Sequence, residues 1–124
     1  MLFSITVFAQ NAPSPKSVLG FHPTDDKTIA DWSQITDYFQ KLDAASDKVK
    51  VQEIGVTTLG KPMIVAYVSS AENIRNLEKH RQINRKLADP NSVKNASELE
   101  NLIKQGKSIV SISCSIHSTE IVAS

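Results

Sequence analysis

The 124-residue chain holds one cysteine, Cys114, and so contains neither an internal disulfide framework nor a multi-cysteine zinc site. A metal bound here would have to use histidine and carboxylate. Charge of one sign is missing too: 14 basic and 13 acidic side chains leave a formal net charge of +1. No global field of the kind that nucleic-acid binders use to displace phosphate counterions results, so nucleic acid is not an expected partner. Long hydrophobic runs are absent as well. The longest at the N-terminus, MLFSITVFA over residues 1–9, is too short to span a bilayer. What remains is an ordinary 40% hydrophobic content, enough for one globular domain rather than a disordered tail.

The N-terminal run has a second reading. Val7-Phe8-Ala9 before Gln10 has the form of a small-residue signal cleavage site, and Asn11-Ala12-Pro13-Ser14-Pro15 then reads as a mature-side linker. The expectation is a signal-peptide remnant at 1–9, a lead-in at 10–27 and a secreted or periplasmic location. The missing basic start places the beginning of such a leader upstream. The bland alternative is a frayed apolar terminus.

Downstream, hydrophobic spacing sets the elements. Ile29, Trp32, Ile35, Phe39 and Leu42 recur at steps of three and four, which predicts an amphipathic helix over 28–45 with one buried stripe. Val49 to Thr58 is rich in β-branched residues. A Leu59-Gly60-Lys61-Pro62 turn separates it from Met63-Ile64-Val65-Ala66-Tyr67-Val68, so the pair predicts a β-hairpin. The second strand is apolar at consecutive positions, which implies cover on both faces, and the fold class expected is α/β, a mixed sheet with helices on both faces. A second helix is predicted over 70–87, with Ile74, Leu77 and Leu87 as apolar contacts and Asp89-Pro90 as its stop. Its dense basic set, Arg75, Lys79, Arg81, Arg85 and Lys86, reads as a solvated face, with an anionic-ligand site as the rival. A third helix over 96–105 would be capped by Ser97 with Glu100 or by Asn95 with Glu98, and stopped by Gly106.

From Lys107 to Ile116 the alternation is that of a strand: Val110, Ile112, Cys114 and Ile116 on one side, Ser111, Ser113 and Ser115 on the other. Cys114 on the apolar side reads as a buried, inert thiol. His117-Ser118-Thr119-Glu120 follows directly. The end of a strand is where an α/β sheet presents ligand groups. If the chain turns helically there, His117 and Glu120 share a face with β-carbons about 5–6 Å apart, and both can reach one ion. Zinc accepts imidazole nitrogen and carboxylate oxygen at about 2.0–2.2 Å, and catalytic zinc sites use three protein ligands and a water. A His-x-x-Glu spacing alone is weak evidence, because a histidine at a strand end is more often a hydrogen-bonded structural residue.

The run Gly106-Lys107-Ser108-Ile109-Val110-Ser111-Ile112-Ser113-Cys114-Ser115-Ile116-His117-Ser118-Thr119-Glu120 resembles the zinc-binding strand and loop of the carboxypeptidase A family of zinc metallocarboxypeptidases. Ile54-Gly55 and the Gly60-Lys61-Pro62 turn resemble that family's hairpin, and the helix bearing Tyr38, Phe39 and Leu42 resembles the helix before it. The likeness runs from about Trp32 to the C-terminus. Ser115 departs from the family's frequent glycine, and the basic helix with its following segment is closer to larger bacterial members than to the pancreatic type.

The resemblance implies a zinc-dependent peptidase of carboxypeptidase-like α/β/α fold, in which a zinc-activated water attacks the C-terminal peptide bond of a peptide or protein substrate. His117 and Glu120 would be metal ligands. The family's third ligand, general base and carboxylate-docking residues correspond to no position among these 124 residues. The chain is therefore expected to be a fragment over 28–124, inactive alone, with no catalytic residue of its own and an exposed sheet edge. Zinc amidohydrolases that deacylate amino acids and cell-wall peptidases of the same fold are alternatives, as is a non-catalytic binding module. Substrate preference and oligomeric state are not encoded in these features.

Overall fold

The computed structural model describes residues 12–114. A short helix α1 (Pro15–Leu19) comes first, within the segment expected to be a linker. Ser14 starts it, its hydroxyl accepting from the Ser17 N–H at 3.2 Å, with Pro15 at the first helical position. It ends at Gly20, whose φ of 85° is the left-handed conformation that glycine adopts without strain. α1 packs against the next helix.

That helix, α2 (Trp32–Ala45), begins four residues later than the spacing predicts. Asp31 explains the shift. Its carboxylate accepts from the Gln34 N–H while the Gln34 side chain accepts from the Asp31 N–H, a reciprocal capping box. Ile29 therefore falls outside the helix and is exposed, and the apolar stripe of Trp32, Ile35, Phe39 and Leu42 is half-buried. The buried residue of α2 is Thr36, whose hydroxyl bonds back to the carbonyls of Trp32 (3.1 Å) and Ser33 (3.0 Å). Satisfying its own hydroxyl within the helix is what lets a polar side chain sit on the inner face.

The hairpin forms as an antiparallel pair, β1 (Val49–Val56) and β2 (Pro62–Val68), in the register Val49 to Val68 and Val51 to Ala66. Ile54 is an extra residue between the Glu53–Ile64 and Gly55–Met63 pairs, and Gly55 carries the resulting bulge at φ 150°. The loop closes on Thr57, whose carbonyl accepts the Gly60 N–H and whose hydroxyl accepts the Lys61 N–H, with Gly60 at φ 72°. Three bonds tie the hairpin to α2. The Trp32 indole N–H donates to the Pro62 carbonyl at 2.8 Å, and Asp43 accepts from the Val51 N–H at 3.2 Å and the Lys50 ammonium at 2.9 Å. Asp43 thereby satisfies a backbone donor on the outer edge of β1.

Helices together with a small antiparallel sheet are thus present, as the mixed α/β pattern implies. The described sheet has two strands, and β2 is not enclosed: Ile64, Val65 and Ala66 are half-buried, whereas Met63, Tyr67 and Val68 are exposed. Consecutive apolar residues call for cover on both faces, whereas the contact of α2 with this sheet lies mainly along β1, with the Trp32 bond to Pro62 at the start of β2.

The basic helix is broken in two, α3 (Ala71–Arg75) and α4 (Leu77–Ala88). Asn76 makes the break: its N–H bonds back to Glu72 and Asn73, and its side-chain amide donates to the Glu72 carbonyl at 2.8 Å. A 3-10 turn (Pro90–Ser92) leads to α5 (Ala96–Gln105). Of the two caps weighed for α5, Asn95 is the one used, accepting the Glu98 N–H at 2.9 Å. Gly106 stops α5 with φ −61°, so its glycine serves close approach rather than a left-handed turn. A β-carbon there would lie 3.1 Å from the Leu102 carbonyl oxygen and 3.4 Å from Leu87, where α5 meets α4. Among the described residues the buried apolar side chains are Val49 and Ile83 alone. Ile83, on α4 one turn before Leu87, was not among the contacts expected of that helix.

Candidate functional site

The segment that should present the site leaves α5 at Gly106. From Lys107 to Cys114 no strand forms. Ile109, Val110 and Ile112 are 74%, 84% and 82% exposed, and Ser111 and Ser113 are exposed beside them, so the alternation acquires no inner and outer side. The sequence pattern is strand-like, but a single strand gains nothing without a neighbour to complete its hydrogen bonds. Cys114 is exposed, which corrects its reading as a buried thiol. Its burial depended on the apolar side of that strand meeting a packed layer.

The expected ligands His117 and Glu120 lie outside the described residues, as does the leader reading of residues 1–9. The other two histidines stand on unrelated elements. His22 is in the surface turn before α2, its N–H donating to Asp25 at 2.9 Å, and His80 is half-buried on α4. Among the described residues no group of three histidine, cysteine, aspartate or glutamate side chains is arranged to hold a metal. No described helix is long and apolar enough to cross a membrane.

The described carboxyls that are perturbed are all held below the usual carboxylate range. The Ser33 hydroxyl and the Gln34 N–H lower Asp31 at the cap of α2. Asp43 is lowered by Lys50 and then the Val51 N–H, Glu78 by Arg81 and Gln82, and Glu98 by Lys86 and the Lys94 N–H. A carboxyl prepared to donate a proton near neutrality would be shifted the other way. These four serve caps and ion pairs.

The basic set is a solvated face in the main. Arg81 pairs with Glu78 at 2.8 Å, Lys86 with Glu98 at 2.7 Å and Arg75 with Asp47 at 4.0 Å, all with solvent access on at least one partner. Lys79 makes no ion pair among the described residues. It borders a polar cavity with His80, a feature that the sequence alone gave no means of finding, because its far wall is the end of α5.

No protein-family model matches the chain, and no match is found among curated proteins or solved structures.

Proposed function

We propose that this chain carries His117 and Glu120 as two metal ligands of a secreted or periplasmic zinc metallocarboxypeptidase of α/β/α fold acting on peptide or protein substrates. The observation that carries the reading is the His117-x-x-Glu120 pair directly after the serine-alternating run 107–116. The order of elements before it supports the same reading: a helix, a hairpin with Ile54-Gly55 at its bulge and Gly60-Lys61-Pro62 at its turn, and a final helix stopped by Gly106.

The donor set suits zinc by its chemistry, one imidazole nitrogen and one carboxylate oxygen. When bound, zinc supplies Lewis-acid polarisation of a carbonyl and a more acidic water. His117 and Glu120 would hold it. Neither His22 nor His80 belongs to the matched motif, and a two-ligand set leaves affinity low. The 124-residue protein is therefore expected to take up zinc weakly and to hydrolyse no peptide. Equilibrium dialysis against zinc, run on this protein and on His117→Ala and Glu120→Ala, tests the assignment. Weak one-site uptake abolished by either substitution supports it. Uptake indifferent to both removes the ligands, and tight one-to-one binding with peptide turnover refutes the incompleteness of the site.

A further inference from the structure

Asn95-Ala96-Ser97 lies where the chain enters α5, and it combines an asparagine, a residue other than proline and a hydroxyl two positions on. That triplet is the acceptor pattern for N-linked glycosylation, and it requires a surface position in an exported protein. Of the seven asparagines in the chain, Asn95 is the one followed by serine or threonine at that spacing.

The structure adds what the triplet alone leaves open. Asn95, Ala96 and Ser97 are all exposed, and the Asn95 backbone is extended, with φ −163° and ψ 171°. An open depression lined by Leu87, Val93 and Leu99 borders it, leaving room for a group attached there. The two ends of the carboxamide serve differently. Oδ1 accepts the Glu98 N–H at 2.9 Å and caps α5, whereas Nδ2 has no hydrogen-bond partner among the described residues. Asn73 and Asn76 are the reverse: their Nδ2 atoms donate to Ser69 Oγ at 2.9 Å and to the Glu72 carbonyl at 2.8 Å. A bond made at Asn95 Nδ2 replaces one N–H and leaves the carbonyl oxygen an acceptor, so a glycan and the cap are compatible.

We propose that Asn95 is the acceptor of an N-linked glycan. The inference rests on export of the chain and uses neither His117 nor Glu120. In the transfer, Nδ2 displaces a lipid diphosphate from the anomeric carbon of an activated oligosaccharide. The N–C bond forms, the C–O bond to the diphosphate breaks, and Nδ2 gives up one proton. Ser97 supplies the hydroxyl of the triplet but is not the cap of α5, so that hydroxyl can be removed without loosening the helix start.

The test is synthesis of the 124-residue chain in a translation extract with secretory microsomes, once as it stands and once behind an added secretory leader, with protease protection reporting entry. The protected chain should gain the mass of one glycan, released by an amidase that cleaves the sugar–asparagine bond. Asn95→Gln and Ser97→Ala should each abolish the gain, and Ser97→Thr should keep it. The glycosylated protein should retain the helical signal of the parent, because the cap oxygen is unchanged. Modification only behind the added leader supports the acceptor while removing the export reading. A protected chain without the glycan, or a glycan that survives in Ser97→Ala, overturns the proposal.

Discussion

Replacing Asp43 with alanine probes the joint between α2 and the hairpin. The carboxylate accepts the Val51 N–H at 3.2 Å and the Lys50 ammonium at 2.9 Å, and its side chain is 24% exposed. Hydrogen bonds to charged groups contribute about 1.5–3 kcal/mol, and partial exposure reduces this. Lys50 is more than half exposed, which limits its ion pair to about 0.2–1 kcal/mol. The expected loss is then about 1–2 kcal/mol, or about 4–8 °C in Tm for a chain of this size. Asp43→Asn keeps an acceptor for Val51 and should lose about half as much, while Lys50→Met should lose less than either. The sign of the pH dependence follows from the folded carboxyl titrating below its ordinary 3.8. Its contribution is complete above that value and disappears as pH falls through the lower folded one, so the deficit of the alanine variant shrinks in acid. Urea unfolding followed by circular dichroism, with amide exchange read at Val51, provides the measurement. A variant within about 0.3 kcal/mol of the parent at pH 7, with Val51 exchange unchanged, refutes the claim that Asp43 secures this edge.

Three further outcomes follow. Trp32→Phe removes the indole bond to the Pro62 carbonyl and should destabilise by about 1 kcal/mol; because Trp32 is the one tryptophan, parent fluorescence during unfolding reports separation of α2 from β2 directly. Asn95→Ala should cost α5 about 1 kcal/mol with a matching loss of helical signal, whereas Ser97→Ala should cost much less, since Asn95 is the cap in use. Cys114 should react with an aromatic disulfide reagent without denaturant, at the rate of a free thiol; protection that lifts in urea would mean that it is buried after all.

The local structure was legible in the sequence because its causes are local. β-branched residues mark β1, a consecutive apolar run marks β2, Gly60 marks the turn between them and Gly106 the end of α5, whereas the bulge at Gly55 was not read from the sequence. The helix spacing was equally clear, but not the start of α2, which depends on Asp31 and Gln34 capping each other, nor the break at Asn76, whose side chain competes for a helix carbonyl. The candidate metal pair was visible only as a motif, and its two residues lie outside the described part.

The sequence by itself determined α2, the hairpin and α5, since capping, periodicity and turn chemistry act over three or four residues; it did not determine 107–114, whose strand-like alternation needs a neighbour, nor α1 in the expected linker. Tertiary structure alone decided which apolar residues are buried and which polar ones meet. Val49 and Ile83 are enclosed while Ile109, Val110, Ile112 and Cys114 are exposed, although all have comparable apolar character. It also brought Lys107 beside Lys79 and His80 across 27 intervening positions, an arrangement fixed by the packing of α5 on α4. Burial depends on what lies opposite in space, and no spacing along one strand or helix specifies its neighbour.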